Sequence, residues 1–424
     1  MLKYFWYLWI ILHLHWNSFA QTSTEKTTVK QSITLSFQEA KARMLKENLS
    51  LLAAYYDISI AEADLISAKL WTNPYFIWNQ DLYSVERNEY LNFNNQKLVQ
   101  VEQVFSISGK YVNRVKLAKL GVEQNKLALQ EAIRGLMMDL GERFLTLNAL
   151  QQKAALYQST LSRYDELIKS AEEKLRVGAM SSNEVVRLRS ELIAVKAEAT
   201  HNQNDILAEM SALRILLNLP EDVNIETVDK NPNTNVVVEL GKLINDAMEN
   251  RPDYKLAINQ IDYSKQDLKL QKAMSVPDIK LAYQPHDRGS NYVRPYQGVN
   301  LEMPLPLFDR NQGNIKMAKA KISQAELNFQ LAENTLRNEV QESYAQMLNS
   351  KAGFEEFSED FLKRIEELNT NSTYNYVKKN INLLEFIDLQ RIYIQNKLQY
   401  IDLKNEYQRA INKLNFMVGK EVFE

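Results

Sequence analysis

The chain has 424 residues, a formal net charge of -2, 25% charged and 45% hydrophobic residues, 11 glycines, 9 prolines and no cysteine. That balance is ordinary for a globular chain, and the near-neutral charge argues against a nucleic-acid binder, which needs a basic patch or stripe. The missing cysteines exclude disulfides, thiolate metal sites, a cysteine nucleophile and a lipid anchor on an N-terminal cysteine.

Residues 1–20 are expected to be a secretion signal. Lys3 precedes an apolar run from Tyr4 to Trp16, and Ser18 and Ala20, on either side of Phe19, supply small residues at the cleavage offsets. The run is shorter than the ~20 residues of a spanning helix; an uncleaved N-terminal anchor is the other reading. No later segment approaches the length of a spanning helix, so entry into a membrane would have to be by strands.

From there the sequence predicts one unit used twice, over 21–222 and 240–424, joined by a linker or equatorial segment at 223–239. Arg114 to Lys119 matches Asn314 to Lys319, and Asn73-Pro74 matches Val276-Pro277. Asn183 to Val185 matches Leu384 to Phe386, and Leu213 to Asn218 matches Leu414 to Gly419. Four matches at one offset near 200 positions argue for internal duplication. Each unit reads helix, strand pair, long helix, turn, helix. The first has helices at 38–73, 108–176 and 181–218 with strands within 75–106; the second has helices at 240–276, 312–377 and 382–418 with strands within 278–305. The scarcity of glycine and proline favours such lengths. A helix over 108–176 is roughly 100 Å long at 1.5 Å per residue, so the two shorter helices of a unit are expected to stack end to end beside it.

The first long helix carries a seam of alternating three- and four-residue steps: Leu129, Ile133, Leu136, Leu140, Leu147, Leu150, Ala154, Tyr157, Leu161, Tyr164, Ile168, Ala171 and Leu175, with Arg143 as the exception. In the second, Val340, Met347, Phe354, Phe361 and Leu368 recur every seven. This is coiled-coil spacing, although an ordinary bundle core has the same period.

The strands alternate. Ile279, Leu281 and Tyr283 interleave with Lys280, Ala282 and Gln284; Val299, Leu301, Met303 and Leu305 interleave with Asn300 and Glu302. Val99, Val101 and Phe105 alternate less cleanly with Gln100, Glu102 and Val104, and Phe76 and Trp78 begin the first strand. One apolar and one polar face suit a membrane barrel with a wet lumen, or a soluble hairpin. Tyr83, Tyr90, Phe93, Tyr292 and Tyr296, in and beside the polar loops at 84–95 and 286–297, are candidates for an interfacial girdle. Four strands cannot close around a channel, whereas three copies would supply twelve. The expected fold is therefore mainly α with a small β part: a long coiled-coil α-barrel plus four strands per chain, in a shared twelve-stranded trimeric barrel.

With these parts the chain resembles the TolC-like outer-membrane efflux family over essentially its whole mature length. The segment from Gly298 to Gly313, GVNLEMPLPLFDRNQG, is similar to the strand-to-helix junction of the family's heavy-metal, cobalt–zinc–cadmium branch, although Pro304 and Pro306 are also what any strand end before a helix tolerates. Val177, Gly178, Ala179, Met180 and Ser181 resemble the periplasmic tip where an adaptor protein docks; Gly178 would equally serve as a helix C-cap. The equivalent turn, Lys378, Lys379, Asn380 and Ile381, has lysine in place of the glycine. Glu385 and Asp388 match the carboxylates that narrow the family's periplasmic mouth. Asn382 and Glu385 also have capping-box spacing, as do Ser181 and Glu184.

The resemblance implies an outer-membrane channel of a tripartite efflux system: a homotrimer in outer-membrane lipid, with its helices in the periplasm. Its partners would be a periplasmic adaptor and an inner-membrane pump of the resistance-nodulation-division type. Divalent metal cations are the first candidate cargo, ahead of drugs and secreted peptides. No cofactor, resident metal or catalytic residue is expected: the mature chain keeps only His201 and His286, without metal-ligand spacing, and has no phosphate loop, dinucleotide motif or nucleophile elbow. The rival class is a structural periplasmic coiled-coil or adaptor protein.

Overall fold

The computed structural model describes residues 32–80, 82–85, 88–90, 97–228, 238–287 and 296–422. The expected signal at 1–20, Phe93, Tyr292, the side chains of His286 and Tyr296, and parts of the two loops and the 223–239 linker lie outside the described residues.

The chain opens with β1 (Ser32–Ser36) and α1 (Phe37–Glu47). Ser36 caps α1 reciprocally, since the Glu39 carboxylate accepts from the Ser36 backbone N–H at 2.8 Å. Asn48 then ends α1 and starts α2 (Leu49–Ala68). The expected helix over 38–73 is thus two helices, because the Asn48 side chain accepts from the Leu51 N–H at 2.9 Å and makes a new N-terminus more favourable than continuation. β2 (Tyr75–Gln80), the short ribbon β3 (Tyr83–Ser84) and β4 (Glu89–Tyr90), and β5 (Lys97–Phe105) lead to α3 (Lys110–Arg176) and α4 (Ser182–Leu217). β6 (Asn224–Val228) closes this half and pairs in parallel with β1, Ile33 opposite Ile225. That pairing was not expected from the sequence.

The second half runs α5 (Leu240–Asn250), α6 (Pro252–Met274), β7 (Ile279–Asp287), β8 (Tyr296–Glu302), α7 (Gln312–Glu355), α8 (Glu359–Val377) and α9 (Leu383–Val418). Two expected helices are again split. Pro252 at the first helical position of α6 supplies the break at Arg251. In the expected 312–377 helix, Ser358 accepts from the Phe361 N–H at 3.2 Å, and Glu359 and Asp360 favour a new helix start through the dipole. This break resets the seam: Val340 and Met347 are buried, but Phe361 is 38% exposed and Ile365 takes the inner position.

Short helices stack end to end beside long ones, as expected. Asn48, at the start of α2, donates to the Leu216 carbonyl in the last turn of α4 at 2.8 Å, and both helices pack on α3. Arg251, at the start of α6, donates to the Met417 carbonyl in the last turn of α9, and both pack on α7. Two apolar cores sit at these joints. One joins Met44, Leu140, Phe144, Leu147, Leu213 and Ile225; the other joins Leu243, Val340, Met347, Tyr407, Ile411 and Leu414. On α3, seam residues Leu129, Leu140, Leu147, Tyr157, Tyr164, Ile168 and Ala171 are buried, while Leu175 is exposed.

Left-handed backbone recurs at matched places along the chain. Positive φ occurs at Gly109 and Asn311, at Gly178 and Lys379, and at Asn218 and Gly419. In each pair one half uses glycine where the other forces a side chain into the left-handed region.

Candidate functional site

The four long strands form one antiparallel sheet in the order β2-β5-β7-β8. Its register sorts the side chains onto two faces. Phe76, Val101, Tyr283 and Val299 lie in one row across all four strands, and Leu281 faces Leu301 in the next. These side chains are open to the surroundings, Phe76 at 69% and Leu301 at 68%. From Phe105 to Val99 the apolar band is about 20 Å tall at ~3.4 Å per residue, close to the ~25 Å band of outer-membrane barrels. Gln103 interrupts this band, and Gln80 and Lys97 end it on the same face.

The other face is polar and bonded within itself. Tyr75, Glu102, Ala282 and Asn300 form one row. Gln284 donates to Gln100 at 3.0 Å, and Lys280 lies 3.0 Å from Glu302 and 3.9 Å from Glu102. Among the described residues, β2 and β8 are the outer strands of this sheet, each with one neighbour in it. Beyond the sheet, Tyr83 and Tyr90 pack with ring centroids 4.6 Å apart, and the Tyr83 hydroxyl donates to Asn88.

The opposite end of the molecule carries two turns. In the first, Gly178 has φ 72°; its N–H donates to the Leu175 carbonyl, and the Ala179 N–H to the Lys174 carbonyl at 2.8 Å. In the second, Lys379 has φ 61°, and the N–H groups of Lys379 and Asn380 bond to the carbonyls of Tyr376 and Asn375 in the same pattern. Both are Schellman closures. Val177, Gly178, Ala179 and Ser181 are exposed on the first tip, as are Lys378, Lys379 and Asn380 on the second. Met180 and Ile381 turn inward onto one apolar cluster of Tyr164, Ile168, Val185, Leu188, Phe386 and Ile387, which binds the two hairpins together. Tyr376 stacks on Phe386 at 4.6 Å. Tyr164 is buried within that cluster, and burial pushes its hydroxyl up to about 12.

After each tip the caps differ. The Glu184 carboxylate returns to the Ser181 backbone N–H at 2.8 Å, and the bonds from the Ser181 backbone and hydroxyl hold it below its ordinary value. Asn382 accepts from the Glu385 N–H at 2.9 Å, but no reciprocal box forms. Glu385 and Asp388 are both exposed, one helical turn apart on α9. Sequence reasoning missed the neighbouring Arg391, which makes a two-pronged pair with Glu191 of α4. That hydrogen bond, then the Glu191 charge, with a smaller contribution from Asp388, raises the guanidinium above its usual range. The only signal available was opposite charge in matching places of the two units.

Apolar side chains at helical spacing also remain open along the outside: Leu49, Leu52, Tyr56 and Ile60 on α2, and Met317, Leu327 and Leu331 on α7. No described helix is long and apolar enough to cross a membrane. Among the described residues there is no group of three or more His, Cys, Asp or Glu that could hold a metal ion.

Comparison with known proteins agrees with this architecture. Residues 243–420 match the family described as outer membrane efflux protein. The cobalt-zinc-cadmium resistance protein CzcC of Cupriavidus metallidurans is 19% identical over 396 residues, covering 91% of this chain and 90% of that protein. A membrane protein from Pseudomonas aeruginosa superposes with a TM-score of 0.74 at 18% identity, covering 90% and 93% of the two chains. The outer membrane protein VceC of Vibrio cholerae gives 0.71 at 14% identity, covering 91% and 96%.

Proposed function

We propose that this chain, an outer membrane efflux protein with the TolC-like fold, is the outer-membrane channel of a tripartite efflux system, a passive duct from periplasm or pump to the outside. The observation that carries the reading is the two-faced sheet with two open edges. Its apolar face suits lipid, its polar face suits water, and β8 of one copy completes β2 of the next, so that closure needs several copies. The open apolar stripes on α2 and α7 call for partners at the same time. Three copies close a twelve-stranded barrel above a helical tube. In this reading residues 21–222 and 240–424 are its two structural repeats.

The chain supplies a path and does no chemistry. Energy comes from an inner-membrane pump of the resistance-nodulation-division type, reached through a periplasmic adaptor that docks on the tips at 177–181 and 378–381. Divalent metal cations are the cargo, a choice supported by the likeness to the cobalt-zinc-cadmium resistance protein. Glu385 and Asp388 form the periplasmic constriction, with six carboxylates around one axis attracting cations. Both are exposed in the single chain, and the Glu385 side chain is not held in a reciprocal capping box.

The test is conductance of the purified protein in planar bilayers. Replacing Glu385 and Asp388 together with alanine should widen the conductance and weaken cation preference; unchanged currents would remove the gate. Fractionation supplies the second check. Heat-sensitive trimers in the outer membrane fit the duct, whereas a soluble periplasmic protein would return the reading to a structural coiled coil.

A further inference from the structure

The polar face of the sheet carries charge as well as hydrogen bonds. In the paired rows 75–80, 97–105, 279–284 and 298–302, the alternation places three charged side chains on this side: Glu102, Lys280 and Glu302. They sit on three successive strands. Lys280 of β7 is directly opposite Glu302 of β8, and Glu102 of β5 faces Ala282, one diagonal step away. The ammonium reaches both carboxylates, at 3.0 and 3.9 Å. Gln100 donates to the second oxygen of Glu102 at 3.4 Å and accepts from Gln284 at 3.0 Å, so the carboxylate nearer the middle of the sheet is tied into the next rung.

From this placement we infer a second charge filter in the barrel wall, separate from the periplasmic mouth, in which Lys280 is the residue that sets its strength. The inference rests on the channel reading, since only a lumen gives the polar face a permeating ion to act on. One lysine between two glutamates leaves each chain with a net charge of -1 at this level. A closed trimer would bring three such sets onto one ring, mildly favouring cations. Lys280 lowers the field by neutralising a carboxylate; without it the ring would double its negative charge. The same pairing spares the sheet two adjacent like charges, which cross-strand neighbours tolerate poorly.

The test is the reversal potential of the purified full-length channel in planar bilayers under a potassium chloride gradient. Lys280→Gln should raise the cation-to-anion permeability ratio by about two-fold or more, and Glu302→Gln should lower it by a similar factor. The swapped pair Lys280→Glu with Glu302→Lys keeps the net charge and should stay near the wild-type value, which separates charge from packing. If the wild type conducts and the two single variants leave its selectivity unchanged, or shift it in the same direction, the filter is overturned while the channel stands. If the swapped pair shifts selectivity as far as Lys280→Gln, the filter is likewise overturned. A wild type with no conductance overturns both.

Discussion

At the first joint between stacked helices, Asn48 ends α1, starts α2 and donates to the Leu216 carbonyl. At the second, Arg251 ends α5, starts α6 and donates to the Met417 carbonyl. The backbone task is the same and the chemistry differs. Asn48 closes its joint with neutral bonds. Arg251 is 4% exposed and brings charge inside, held at 2.7 Å by Glu339 and paired with Asp253, which in turn lies 3.5 Å from Arg134. The two joints share the geometric demand, a break with an orphan carbonyl to satisfy, and differ in the side chain that meets it.

The sharpest way to break this comparison is to remove each joint residue in turn. Arg251→Met should cost about 2–3 kcal/mol, because it leaves the half-exposed Glu339 without its guanidinium and the Met417 carbonyl without a donor, while Asp253 keeps Arg134. Asn48→Ala should cost about 1–2 kcal/mol, the value of a cap and a buried hydrogen bond. Denaturant midpoints followed by helical circular dichroism at fixed protein concentration decide it, and equal losses would sink the contrast. Acid sharpens it further. Burial pushes Asp253 up, but the hydrogen bond and charge of Arg251 outweigh it, so its carboxyl is held below the ordinary range. A lowered carboxylate stabilises above its unfolded value and loses that contribution as pH falls through its folded one. Below about pH 4, amide exchange at the start of α6 should speed up more than at the start of α2.

The two tips extend the comparison with smaller effects. Gly178→Ala should cost about 1–2 kcal/mol, because its φ is left-handed. Lys379→Gly should gain about 0.5–1 kcal/mol, the relief of that strain less the entropy of glycine. Thermal midpoints that move in the same direction would contradict the shared geometry. The smallest effect lies one turn further on. Ser181→Ala should cost about 1 kcal/mol by opening a closed capping box, whereas Glu385→Ala should change stability by less than about 0.5 kcal/mol. Hydrogen exchange in the first turns of α4 and α9 reads both.

The sheet was legible in the sequence because alternation is a local signal: Ile279, Leu281 and Tyr283 declare a face without knowledge of their neighbours. The two-unit reading rests on matched segments that recur at one offset. The helix breaks were not, although Asn48, Arg251-Pro252 and Ser358-Glu359-Asp360 are ordinary start signals. At Ser358 the seven-residue repeat runs on through the break and outweighs a single cap; at Asn48 and Arg251 a lone start signal did not divide the expected helix. The parallel pairing of β1 with β6 was beyond reach, since five-residue strands so far apart in sequence carry no mark of their partner. At the tips the sequence located the turns and their carboxylates. It did not reveal that Lys379 adopts the backbone of Gly178, or that Arg391 reaches across to Glu191, because both depend on how two hairpins lie together.

The unpaired margins of β2 and β8 lie on opposite sides of the sheet, so copies joined through them meet head to tail. Such a contact does not end with two partners; each addition leaves another free margin until rotation brings the last copy back to the first. Under the proposed assembly, the curvature of one sheet would decide between a sealed ring and an endless fibre. A substitution that flattened it would favour open chains of copies over a closed ring.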